Sequence, residues 1–175
     1  MNLGPTRRMA VVAAAALVLD QLTKLAVLSY LGPDQEKVII DGFFKFVHWG
    51  NTGAAWSLFN QFAGSNQLLA VFALVALLVL FFTRHHFDSH TLLGQLSLGL
   101  IFGGIAGNLV DRFTHRHVVD FIYFYIARRG GGEIGFPAFN VADSAICTGV
   151  ALLFLLSWQK DQAAASPAKG SVKPG

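Results

Sequence analysis

The sequence predicts an all-α membrane protein: a four-transmembrane-helix bundle with a small β-rich element built from two loops on one face. Composition is the first reason. Of 175 residues, 54% are hydrophobic and 13% charged, with mean hydropathy +0.53, outside the range of soluble domains. The second is pattern: four apolar stretches approach the roughly 20 residues a helix needs to cross about 30 Å of hydrocarbon. The third is what lies between them. Residues 38–40, 43–49 and 118–126 are rich in β-branched and aromatic side chains and too short to span, which predicts strands or interfacial segments.

The spans follow in order. The first covers about residues 9–31 and stops at Gly32-Pro33, and the second about 66–83, before the polar run Arg84-His85-His86-Phe87-Asp88. The third covers about 92–110 and the fourth about 141–158. Arg7 and Arg8 ahead of an apolar run resemble the start of a signal peptide. No small-x-small cleavage site follows, however, and hydrophobicity resumes at Leu25, so an uncleaved span is expected. One integral-membrane domain over residues 1–160 uses the length. The Ala-, Ser-, Pro- and Gly-rich tail, residues 161–175, is expected to be disordered.

Other chemistries are weakly supported. A pI near 9.2 invites a nucleic-acid reading, but the basic residues are scattered, so no nucleic-acid partner is expected. Cys147 is the single cysteine and lies in an apolar run, where it reads as a small packing residue. His85, His86 and His90 share one loop and His115 and His117 another. Neither set has zinc-protease spacing, so no metal and no cofactor are expected.

With the N-terminus inside, six Lys and Arg fall on each side, so the positive-inside count is a tie. Arg7 and Arg8 beside the first span, with Arg84 in a short inner loop, favour both termini inside. With four spans, the first and third loops share one face whichever side that is. Asp120, Asp143, Asn51, Asn108, Asp111 and Arg112 all gather there, with Asp20 and Lys24 in the part of span 1 nearer that face.

Each of these residues has an ordinary explanation as well. Asp20 and Lys24 are i, i+4 and can pair to lock span 1 onto its neighbours. Gly99, Gly103 and Gly107 form a small-xxx-small stripe for close helix packing. Asp111 and Arg112 close the third span, where an interfacial ion pair would suffice. Asp143 follows Asn140, a good N-cap, by three residues and reads alone as a capping acid. Asp120 alone could be a surface acid. Together, two costly carboxylates at one face suggest the shared-proton pair of an aspartic peptidase.

Five ordered motifs carry a resemblance. They are Asp20-Gln21-Leu22-Thr23-Lys24, Asn51-Thr52-Gly53-Ala54-Ala55-Trp56-Ser57, Gly103-Gly104-Ile105-Ala106-Gly107-Asn108-Leu109-Val110-Asp111-Arg112, Val118-Val119-Asp120-Phe121 and Phe136-Pro137-Ala138-Phe139-Asn140-Val141-Ala142-Asp143-Ser144. They span about residues 15–158 and closely resemble the lipoprotein signal peptidase family, signal peptidase II. The resemblance implies an aspartic endopeptidase of the bacterial inner membrane; with the termini placed in the cytoplasm by the charges, a multi-pass monomer with its active site near the periplasmic face is expected. It would remove signal peptides from diacylglyceryl-modified prolipoproteins, cutting before the lipidated cysteine. The family's catalytic pair falls on Asp120 and Asp143, and its supporting positions on Asp20, Lys24, Asn51, Asn108, Asp111, Arg112 and Asn140. Two departures stand out: Trp56 where the family usually has Phe, and a longer, Gly-rich segment over residues 127–135. The rival reading is a small proton-coupled transporter using the acids as a relay, which would spread its polar residues through the membrane depth.

Overall fold

A computed structural model of the chain describes residues 4–53 and 64–165. It has four helices, α1 (Pro5–Tyr30), α2 (Ser65–Thr83), α3 (Leu92–Thr114) and α4 (Val141–Ala165). Four strands accompany them: β1 (Glu36–Ile40), β2 (Phe44–Asn51), β3 (Val118–Ala127) and β4 (Glu133–Gly135). All four helices, α2 with the short 3-10 turn that follows it, are long and apolar enough to cross a membrane. The chain is a multi-pass membrane protein with a small antiparallel sheet.

Helix α3 is the centre of the bundle, packed broadly on α1 and α4 and more sparsely on α2. Its glycines explain the closeness. A Cβ on Gly103 would lie 2.5 Å from the Ala13 carbonyl oxygen of α1, and one on Gly104 2.5 Å from the Ala142 carbonyl oxygen of α4. Two faces of α3 are therefore bare so that two backbones can reach it. Thr91 starts the helix, its side chain accepting from the Gly94 N–H at 3.0 Å. At the same end Lys160 of α4 pairs with Asp88 in the α2–α3 connection.

The sheet has the order β1-β2-β3-β4, every neighbour antiparallel. Asn51 pairs with Val118 at the end joined to the helices, and a register shift lies between Phe46 and Trp49, opposite the approach to Asp120. One face carries Lys45, Val47, Tyr123 and Tyr125. Lys45, 4% exposed, reaches Glu36 of β1 at 2.6 Å and Glu133 of β4 at 3.0 Å, with its ammonium over both tyrosine rings. One cation thus ties the two outer strands across the middle of the sheet. On the other face Phe44 meets Phe46 edge-on and Phe124 at a tilt, each at a centroid separation of 5.1 Å.

Three sequence expectations change. Helix α3 runs to Thr114, so Asp111 and Arg112 lie within its last turn and do not end it. Helix α4 continues to Ala165, into the stretch whose composition suggested a disordered tail; residues 166–175 and Trp56 lie outside the described residues. Cys147 is exposed on α4 and is no core packing residue. An apolar run that is lipid-facing on most sides gives no sequence signal for which positions turn inward.

Candidate active site

Two layers of polar side chains sit where α1, α3, α4 and the root of the sheet meet. The deeper one is an ion cluster. Lys24 of α1 lies 2.8 Å from Asp20, one turn earlier, and 2.8 Å from Asp111 of α3, with all three side chains at most 2% exposed. Two carboxylates and one ammonium leave an excess negative charge in a nonaqueous place, and neutral donors offset it. Gln21 Nε2 donates to Asp111 Oδ1 at 2.9 Å and reaches Asp20 Oδ2 at 3.2 Å. The Ala142 N–H donates to Asp20 Oδ1 at 2.9 Å, and the Val119 N–H to Asp111 Oδ2 at 3.0 Å. Gly107 makes this possible, because a Cβ there would lie 2.6 Å from Asp20 Oδ2.

The outer layer holds the two aspartates. Asp120 comes from β3 and Asp143 from the first turn of α4, and three asparagines connect them. Asn140 ends the segment before α4 and is fully buried. Its Nδ2 donates to Asp120 Oδ1 at 2.9 Å, while its backbone N–H meets Asp143 Oδ2 at 3.3 Å. In return the Asp143 N–H donates to Asn140 Oδ1 at 2.9 Å, a reciprocal cap. Asn108 of α3 donates to Asp143 Oδ1 at 2.7 Å and accepts from Lys24 and Asn140 at 3.1 Å each. Asn51, at the end of β2, donates to Asp120 Oδ2 at 3.0 Å. Burial, followed by the charge of Asp143, pushes Asp120 up to about 7 against the opposing pull of Asn51.

Arg112 completes the rim. Its guanidinium donates to the Gly53 carbonyl at 3.0 Å and to Asn66 Oδ1 at 3.3 Å, and Asn66 Nδ2 donates back to the Arg112 carbonyl at 3.1 Å. It stands near enough to interact with the charges of Asp120, Asp143 and Asp111. All nine residues singled out in the sequence are therefore joined through these contacts, directly or by one intermediary. Asp111 pairs with Lys24 at depth, where the sequence suggested an interfacial ion pair. Gln21 and Asn66 belong to the same network but drew no role from the sequence, although Gln21 lies inside a quoted motif. No three His, Cys, Asp or Glu side chains converge in a metal-ligand group among the described residues.

The chain and its fold have relatives. Residues 12–159 match the family described as Signal peptidase (SPase) II. The chain belongs to the signal peptidase II family. It is 40% identical over 145 residues to the lipoprotein signal peptidase of Symbiobacterium thermophilum, covering 83% of this chain and 90% of that one. It is 38% identical to that of Geobacter metallireducens over 149 residues, with 85% and 89% covered. A solved structure described as a bacterial membrane enzyme obtained by the in meso method at 2.3 Å resolution aligns with TM-score 0.69 at 27% identity, covering 93% and 94% of the two chains. As a signal peptidase II, the chain is a peptidase that removes signal peptides from prolipoproteins, working in the bilayer. The transporter reading is set aside on two grounds: the family, and the concentration of buried ionisable groups of the spans at the end of the bundle nearest the sheet.

Proposed function

We propose that Asp120 and Asp143 are the catalytic pair of an aspartic-type signal peptidase II and share one proton. The observation that carries this is Asn140, whose side chain and backbone hydrogen-bond to both carboxyl groups at once. Two acids held by a common donor and desolvated together cannot both ionise cheaply, so one remains protonated. In the reaction, the ionised member takes a proton from a water molecule as that water attacks the scissile carbonyl carbon. The protonated member donates to the carbonyl oxygen, giving a neutral gem-diol. Return of the proton to the leaving nitrogen then breaks the C–N bond. Asn51 and Asn108 each donate to one carboxylate and fix its orientation. Asp20, Lys24 and Asp111 hold the elements that carry the pair, and Arg112 faces the substrate side of it.

In this reading the substrate is a diacylglyceryl-modified prolipoprotein cut before the lipidated cysteine. Its acyl chains stay in the bilayer and hold the cysteine at the depth of the pair. The site faces the periplasmic side, both termini are cytoplasmic, the protein acts as a monomer in the inner membrane, and residues 1–160 form one domain. The test is cleavage of a lipidated prolipoprotein by Asp120→Asn and Asp143→Asn in membranes. Each should lose activity by at least about a thousandfold while remaining inserted and cooperatively folded. A normal rate from either variant would overturn the assignment.

A further inference from the structure

The far end of the sheet carries apolar side chains that the bundle does not cover. Ile126 is 72% exposed, Ile134 55% and Phe136 58%, with Phe43 of the neighbouring turn at 52%. Ile126 and Ile134 are direct cross-strand partners, and the Phe136 N–H pairs with the Phe124 carbonyl two residues back along β3. Since directly opposed residues, and residues two apart in a strand, share a face, Phe124, Ile126, Ile134 and Phe136 form one apolar ladder. By strand alternation that face is also the one carrying Asp120. Six residues at about 3.3 Å each put Ile126 roughly 20 Å along the strand from Asp120. An apolar ladder at that distance from the helices has no reason to project into water.

The turn beyond it is cationic. Arg128 and Arg129 are both exposed, and neither makes an ion pair among the described residues, Glu133 being engaged by Lys45. The turn has a defined shape. The Arg128 N–H donates to the Gly132 carbonyl, the Gly131 N–H donates to the Arg128 carbonyl, and Gly131 and Gly132 take positive φ. Apolar side chains beside a fixed pair of unpaired guanidinium groups match the two layers of an anionic membrane surface, acyl region and phosphodiester.

We infer that the β3–β4 hairpin is a docking element for anionic phospholipid, lying along the outer leaflet of the bilayer that the same chain spans, with Ile126 and Ile134 in the interface and Arg128 and Arg129 on headgroup phosphates. This inference stands apart from the catalytic assignment. It also gives the Gly-rich lengthening of residues 127–135 a use, because the turn sets both arginines beyond the last apolar pair.

The test uses the full chain reconstituted in vesicles, with a nitroxide on Gly130→Cys in a Cys147→Ser background. A side chain at residue 130 meets nothing within 4 Å, and Cys147 is the single cysteine. Spin-label accessibility to oxygen and to a water-soluble nickel complex reports depth. Vesicles of phosphatidylcholine with phosphatidylglycerol should give a buried label, and phosphatidylcholine alone a wetter one. A basic residue near an anionic surface favours binding by roughly fivefold, so R128Q/R129Q should shift the docked-to-lifted ratio by about 25-fold. The melting temperature should hold, since both side chains are exposed and unpaired. Equal accessibility in both vesicle types would overturn the inference, as would a double variant that docks as deeply as the parent. A label shielded according to protein-to-lipid ratio and not lipid charge would mean a second copy covers the ladder, and would also overturn it.

Discussion

The side-chain amide of Asn140 lies 2.9 Å from Asp120 Oδ1, and the same residue caps the helix that begins with Asp143. One side chain therefore has two separable duties. Asn140→Ala removes both. It should slow cleavage by at least about a hundredfold and cost about 1–2 kcal/mol for the lost cap, before any penalty for the unpaired buried groups. Asn140→Ser keeps a cap oxygen but cannot reach Asp120 with a donor. It should regain much of the stability and little of the activity, as read by thermal unfolding and a cleavage assay on the same sample.

Lys24 neutralises two carboxylates that have no water around them. Lys24→Met should destabilise the folded protein by about 3–5 kcal/mol, because it leaves Asp20 and Asp111 buried without their counter-ion. Unfolding in detergent would measure this. The double variant Lys24→Met with Asp111→Asn should be less damaged than the single one, since it leaves one buried carboxylate without a counter-ion where the single variant leaves two; additive losses would refute the account.

Gly103 and Gly104 answer to different helices. Gly103→Ala forces α1 away through the Ala13 carbonyl, and Gly104→Ala forces α4 away through the Ala142 carbonyl. Backbone atoms cannot swing aside, so each should cost about 1–3 kcal/mol in thermal stability. The second should reduce activity more at a matched temperature, because Ala142 is next to Asp143.

Asp120 links pH to stability. Its carboxyl titrates near 7 when folded against an ordinary value of 3.8. Between about pH 4 and 7 the folded chain therefore binds this proton more tightly than the unfolded chain does. Stability should fall as pH rises through that window and level off above it, by up to about 4 kcal/mol. Asp120→Asn should flatten the curve and melt higher than the parent at pH 8. In the parent, cleavage should decline as pH passes 7 and the pair loses its proton.

Much of this site could be read before any coordinates. The four helices begin within a few residues of the apolar stretches, because a lipid-crossing helix has to be apolar over nearly its whole length, and only α4 runs well past its stretch, to Ala165. The clustering of Asp20, Asn51, Asn108, Asp120 and Asp143 followed from counting spans, since topology alone puts odd-numbered loops together. What escaped the sequence depends on direction. Whether Gln21 points at Asp111, or Asn66 at Arg112, is decided by the rotation of α1 and α2 about their axes. Those helices are apolar nearly all round and give no periodic cue to rotation. The Lys45 cluster escaped for a related reason, as Glu36, Lys45 and Glu133 meet only once strand register is fixed.

The ion cluster beneath the site has one more consequence. Its carboxylates take hydrogen bonds from the Ala142 N–H of α4 and the Val119 N–H of β3, each adjacent in sequence to one of the two candidate catalytic acids. The two segments that carry the proposed pair are thus suspended from a single knot formed by α1 and α3. A disturbance reaching that knot releases both acids together, and one that spares it releases neither. Heat inactivation should then coincide with global melting, with no folded but idle form between them.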